Sequence, residues 1–96
     1  MTKNDIIRLL LANKEVLNKY KVKSIALFGS YVRNEQKKGS DIDFLVEFEE
    51  DTYNNFIHLI FELEDIFKTK VQVLTESDLS PYIRPYILKE METIER

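Results

Sequence analysis

The sequence predicts an α/β (α+β) fold, a small three- to four-stranded mixed sheet flanked by helices. Two observations predict it. Segments with helical spacing alternate with apolar runs too short to be helices, in the order helix, strand, short helix, strand, helix, strand, helix. The 96 residues also fit one domain at about 100–200 residues per domain, so residues 1–96 are read as a single domain with room for only a few strands. A chain this small buries about 60–68% of its unfolded surface, so most of its apolar stripes must be core.

The first helix is read over about Asn4–Tyr20, where Ile6, Ile7, Leu9, Leu10, Val16 and Leu17 recur at helical spacing and Thr2 or Asn4 can cap the first turn. Ser24-Ile25-Ala26-Leu27-Phe28 is a short apolar run stopped by Gly29, which favours a buried strand. Tyr31–Ser40 is polar and reads as a short helix and a loop ending in Gly-Ser. From Asp41 to Phe48 the residues alternate, placing Ile42, Phe44, Val46 and Phe48 on one face and Asp41, Asp43, Leu45 and Glu47 on the other. Thr52 or Asn54 can cap the next helix, whose apolar positions run from Phe56 to Phe67. Val71-Gln72-Val73-Leu74 is a third strand, and Pro85 is placed to open a last helix reaching toward Glu95. Tyr82 and Tyr86, at helical spacing near the C-terminus, are read as core or interface with core favoured, and His58 in the preceding helix as a buried or half-buried structural residue.

Composition excludes several classes of function. Fourteen Lys and Arg against 17 Asp and Glu leave a net charge of −3, so nucleic acid held through its phosphates is not expected as a direct ligand. The absence of Cys removes disulfides, thiolate nucleophiles and cysteine zinc sites. No segment approaches the roughly 18 apolar residues of a membrane span, so a soluble cytoplasmic protein without membrane contact is expected.

The chemically informative feature is Gly29-Ser30 at the end of one strand followed by Asp41 and Asp43 at the start of the next. Residues i and i+2 of a strand project to one face about 6.6 Å apart, close enough for two carboxylates to share a cation. Mg²⁺ takes oxygen ligands and usually divides them between carboxylates and substrate phosphates. Gly29 lets a phosphate approach the backbone, and Ser30 adds a hydroxyl and an N–H where the short helix begins. Arg33, one turn on, can reach a phosphate or brace an aspartate, while Lys37 and Lys38 can attract an anionic ligand from the loop. Each feature alone is commonly structural, Gly-Ser as a turn and Asp-x-Asp as a solvated strand end; their order and placement at element boundaries favour the chemical reading.

Gly29-Ser30-Tyr31-Val32-Arg33 and Gly39-Ser40-Asp41-Ile42-Asp43-Phe44-Leu45-Val46 together resemble the signature of the minimal nucleotidyltransferases of the DNA polymerase beta-like superfamily: Gly-Ser, ten residues, Asp-x-Asp. The tail from Leu79 to Glu90 is also similar to the end of those small domains. The resemblance implies ATP with Mg²⁺ as cofactor, metals on Asp41 and Asp43, the triphosphate on Gly29 and Ser30, and support from Arg33. Two ions about 3.5–4 Å apart would act on the attacking and leaving oxygens. It further implies an antitoxin that transfers AMP to a tyrosine of a partner HEPN-domain ribonuclease toxin, in a hetero-oligomer with that toxin. Active members commonly carry a third carboxylate on a later strand, and the matching position here is Gln72. A second reading is therefore a catalytically degenerate domain that neutralises the toxin by binding alone. A third, transfer onto RNA or a small molecule, uses the same residues but finds no accessory substrate domain in this length.

Overall fold

The structure is a computed structural model that describes residues 1–95; Arg96, the last residue of the expected domain span, lies outside the described residues. Its elements are α1 (Lys3–Ala12), α2 (Lys14–Lys19), β1 (Val22–Phe28), α3 (Ser30–Arg33), β2 (Ile42–Phe48), α4 (Tyr53–Phe67), β3 (Val71–Leu74), a 3₁₀ turn (Glu76–Asp78), α5 (Arg84–Glu90) and β4 (Glu92–Glu95). The sheet order is β3-β2-β1-β4. β1 pairs antiparallel with β2 and β4, while β2 and β3 run parallel, joined through α4. The sheet is mixed, as expected, and its four strands fall within the expected three to four.

Two expectations need correction. The single helix over Asn4–Tyr20 is two helices broken at Asn13, whose φ of −122° and ψ of 37° are not helical. The Asn13 side chain donates to the Leu9 carbonyl at 2.8 Å, substituting for the missing helical bond. The last helix stops at Glu90, and Glu92–Glu95 is a strand on β1 rather than its final turn. Arg84 opens that helix and Pro85 takes its second position, where a missing N–H costs nothing. Elsewhere the expected signals act as such: Thr2 and Asp5 form a reciprocal capping box, and Thr52 accepts from the Asn55 amide at 3.1 Å.

The sheet's two faces are unequal. One face, Ile25, Leu27, Ile42, Phe44, Val46, Val71 and Val73, packs against Ile6, Leu10, Val16, Leu17, Leu59, Leu63 and Phe67 from α1, α2 and α4. The other carries a small cluster of Ala26, Phe28, Leu45 and Leu79 beneath Ile87, Leu88 and Met91. α5 thus covers only part of that second face, and Asp43 emerges on it between the buried Ile42 and Phe44. Tyr31 is the exception to the division. It leaves the sheet edge on α3 yet is buried in the larger core, and it ties down a helix of four residues that would not persist alone.

His58, Tyr82 and Tyr86 are not core. His58 lies on the exposed side of α4, stacked on Tyr20 with ring centroids 6.2 Å apart. Tyr82, in the turn before α5, and Tyr86, within it, are 84% and 73% exposed; the side that α5 turns to the sheet carries Ile87 and Leu88.

Replacing Tyr31 by Ala should lower unfolding stability by about 3 kcal/mol, the cost of an aromatic cavity in a packed core. Urea denaturation measures it, and a loss under 1 kcal/mol would mean that α3 is held by something else.

Candidate active site

Gly29 joins the end of β1 to α3 with φ +81° and ψ −152°, a conformation that side chains do not tolerate. Space demands glycine as well. A Cβ there would fall on the Asp43 carboxylate, within 3.1 Å of its carbon and closer still to Oδ2. The cause is register: Phe28, the last residue of β1, is paired with Asp43 near the start of β2. The turn after Phe28 therefore passes directly over the Asp43 side chain.

α3 then begins at once. The Gly29 carbonyl accepts from the Val32 and Arg33 amides at 3.1 and 3.2 Å, and the Ser30 carbonyl from the Glu35 amide at 2.9 Å. Asn34 adopts a left-handed conformation that ends the helix. The loop back to β2 is closed by Ser40, whose hydroxyl accepts from the Lys37 amide at 2.8 Å and whose own amide donates to the Lys37 carbonyl at 2.9 Å. Asp41 precedes the first residue of β2 and is exposed; Asp43 lies within β2 and is half-buried.

The electrostatics of the pair are those of an unmet demand for positive charge. Burial pushes the Asp43 carboxyl up to about 6, and the neighbouring Asp41 carboxylate pushes the same way. Arg33 opposes the rise and Glu90 adds to it. A cation between the aspartates would relieve both leading causes, and their all-oxygen chemistry suits a hard divalent ion. Among the described residues, no group of three His, Cys, Asp or Glu side chains is placed to enclose a metal. Two carboxylates without a third fit an ion that completes its shell with water and substrate oxygens, as Mg²⁺ does.

The sequence-derived candidates are therefore brought together in part. Gly29, Ser30, Asp41 and Asp43 meet at one end of the sheet. Arg33 is close enough to act on Asp43, but its guanidinium is already engaged: Nε donates to Glu35 at 2.7 Å and Nη1 to Glu90 at 2.5 Å. Both carboxylates hold its proton above the ordinary arginine value. Lys37 and Lys38 are exposed in the loop. Gln72 is the parallel partner of Asp43 and shares its face, since Val71 and Val73 point into the larger core. Glu90 is the residue that sequence reasoning missed. It stands 57 positions from Arg33, and no local spacing announces such a pair. Farther along the same sheet face a cavity of about 460 Å³ opens over Ala26, Leu45, Glu47, Thr75, Met91 and Thr93, beyond the aspartates.

Comparison with known proteins bears on the family and the fold. The nucleotidyltransferase domain family matches residues 11–94. A candidate protein adenylyltransferase of Methanocaldococcus jannaschii is 45% identical over 95 residues, 95% of this chain and 92% of that one. The solved structure of a candidate minimal nucleotidyltransferase is 28% identical with a TM-score of 0.81, covering 96% of this chain and 95% of the other. A chain from a toxin–antitoxin crystal structure with AMP-PNP, 20% identical over 92% of this chain and 71% of its own, shares the fold with a TM-score of 0.73.

The raised Asp43 value fixes the sign of a stability effect. Well below the ordinary value of 3.8 the carboxyl is protonated in folded and unfolded chains alike and costs nothing; the cost grows from there and is complete above about pH 6, where the folded chain must hold the charge. Asp43→Asn should therefore stabilise the protein at pH 7.5 by about 1 kcal/mol, a figure reduced for the solvent that reaches this half-exposed group. The gain should vanish by about pH 3, below the ordinary value of 3.8, and thermal unfolding at the two pH values tests it.

Proposed function

Because the chain belongs to the nucleotidyltransferase domain family, we propose that it transfers AMP from ATP to a tyrosine of a partner HEPN-domain ribonuclease toxin and so acts as its antitoxin. The observation that carries this reading is the close packing of the side-chain-free turn at Gly29 on the Asp43 carboxylate, which sets the start of α3 beside a cation-demanding pair. Protein adenylylation is favoured by the name of the Methanocaldococcus relative, and an AMP-PNP-bound toxin–antitoxin structure with this fold supports both the substrate and the partner. In this reading residues 1–96 form a single cytoplasmic domain that joins its toxin in a hetero-oligomer.

Asp41 and Asp43 are assigned as ligands of Mg²⁺, which when bound neutralises charge on the reacting phosphate and on the attacking and leaving oxygens. Gly29 and Ser30 seat the triphosphate against the backbone, and Arg33 places a fixed positive charge beside it. The phenolic oxygen of the acceptor forms a bond to the α-phosphorus as the bond to pyrophosphate breaks in line. The phenol's proton leaves to water, since Gln72 beside Asp43 has no basic atom.

Incubation of the chain with labelled ATP, Mg²⁺ and its co-encoded partner, read by intact mass of the partner, should show added AMP units. The Asp41→Ala/Asp43→Ala variant should show none. An unmodified toxin that both versions still neutralise would sink the enzymatic reading.

Gln72 favours one rival, a degenerate domain that silences its toxin by binding alone. Gln72→Asp decides how far the natural site is impaired. In an active enzyme the change should alter the rate less than about tenfold, whereas a decayed site should gain 100-fold or more, the range of a restored acid–base group.

A further inference from the structure

The Arg33 guanidinium is held on two sides by carboxylates from different parts of the chain. Glu35 belongs to the loop that follows α3, but Glu90 is the last residue of α5 and reaches Arg33 from the other end of the sequence. Glu35 is 64% exposed at its side chain, Glu90 only 21%. Of the two, Glu90 is therefore the firmer post, set on a helix that Ile87, Leu88 and Met91 pack against the sheet.

Arginine has five N–H donors in a rigid plane. These two bonds occupy Nε and one Nη1 proton, so three donors remain in a plane whose orientation is already fixed. Arg33 also acts on Asp43 as a basic group, against Asp41 and Glu90. A triphosphate arriving at that acidic corner gains from a nearby arginine, and an arginine otherwise free to rotate loses considerable side-chain entropy on binding.

We propose that Glu90 is a positioning residue for the nucleotide: it pre-orients Arg33 toward the triphosphate and so links α5 to ATP affinity. The inference rests on the nucleotidyl-transfer reading and adds to it a residue outside the Gly-Ser and Asp-x-Asp segments. It also makes an opposite-signed outcome possible. If Glu90 acted only as one more negative charge near the site, or as a competitor that keeps Arg33 from phosphate, its neutralisation would tighten ATP binding.

The test is titration calorimetry of the full chain with ATP and with adenosine, both in Mg²⁺. Glu90→Gln, nearly isosteric, should weaken ATP binding about three- to tenfold and leave adenosine binding unmoved. Glu90→Asp, which keeps the charge, should restore part of the loss. On an Arg33→Gln background, Glu90→Gln should have no further effect, because a residue that works through Arg33 has nothing left to position. Circular dichroism establishes that each variant is folded, and Glu35→Gln, at the exposed second post, supplies a milder version of the same loss. A wild-type chain that binds ATP while Glu90→Gln binds it equally or more tightly overturns the role of Glu90 alone. A wild-type chain that binds no ATP overturns the nucleotidyl-transfer reading and this inference together.

Discussion

The contact on which the site depends is between a backbone and a carboxylate. Phe28 and Asp43 are partners across β1 and β2, and the chain leaving Phe28 must turn over Asp43 without a side chain in the way. Gly29 satisfies this with a conformation reserved for glycine and with no Cβ to meet Asp43. From that turn follow the start of α3 at Ser30, the burial of Tyr31 one residue later, and the arrival of Arg33 one turn on. The ten residues from Tyr31 to Ser40 are what the chain needs to make that short helix and return to β2.

The unequal faces of the sheet explain how so small a protein tolerates such a site. Stability comes mainly from the face beneath α1, α2 and α4, where Phe44, Ile42, Ile25 and Leu27 are fully enclosed or nearly so. The opposite face gives up packing for function. There a carboxylate sits half-buried beside another of the same charge, at a cost to the fold that a bound cation would offset. Among the described residues no polar or charged one is enclosed in the core itself, so the charge is kept to one end of one strand.

What could be read from sequence was local. Asp41, Asp43, Gly29 and Ser30 announce themselves through spacing and strand ends within fifteen residues, and the structure brings them together. The break at Asn13 was hidden because Leu10 and Leu17, seven residues apart, keep apolar helical spacing across it. The strand Glu92–Glu95 was hidden for the opposite reason: Glu-Thr-Ile-Glu has little period of its own, and only its pairing with Ile25–Leu27 makes it a strand. Tyr86 faces solvent because a seven-residue helix buries one narrow stripe, and Tyr82 does so from the turn that precedes it. Glu90 was illegible on the same grounds as β4, because its partner is distant in the chain.

β4 has a consequence for association. It is an edge of the sheet, yet only four residues long, with a glutamate at each end. Glu92 is held by Lys3 at 2.8 Å and Glu95 by Lys14 at 3.0 Å. β3, the other edge, is equally short. Brief, charge-flanked margins are how β-proteins resist unwanted strand addition and fibril growth, so neither edge invites a neighbour's backbone. A protein that binds this one has therefore to be recognised through side chains, by shape and charge, and its own residues decide whether it is accepted.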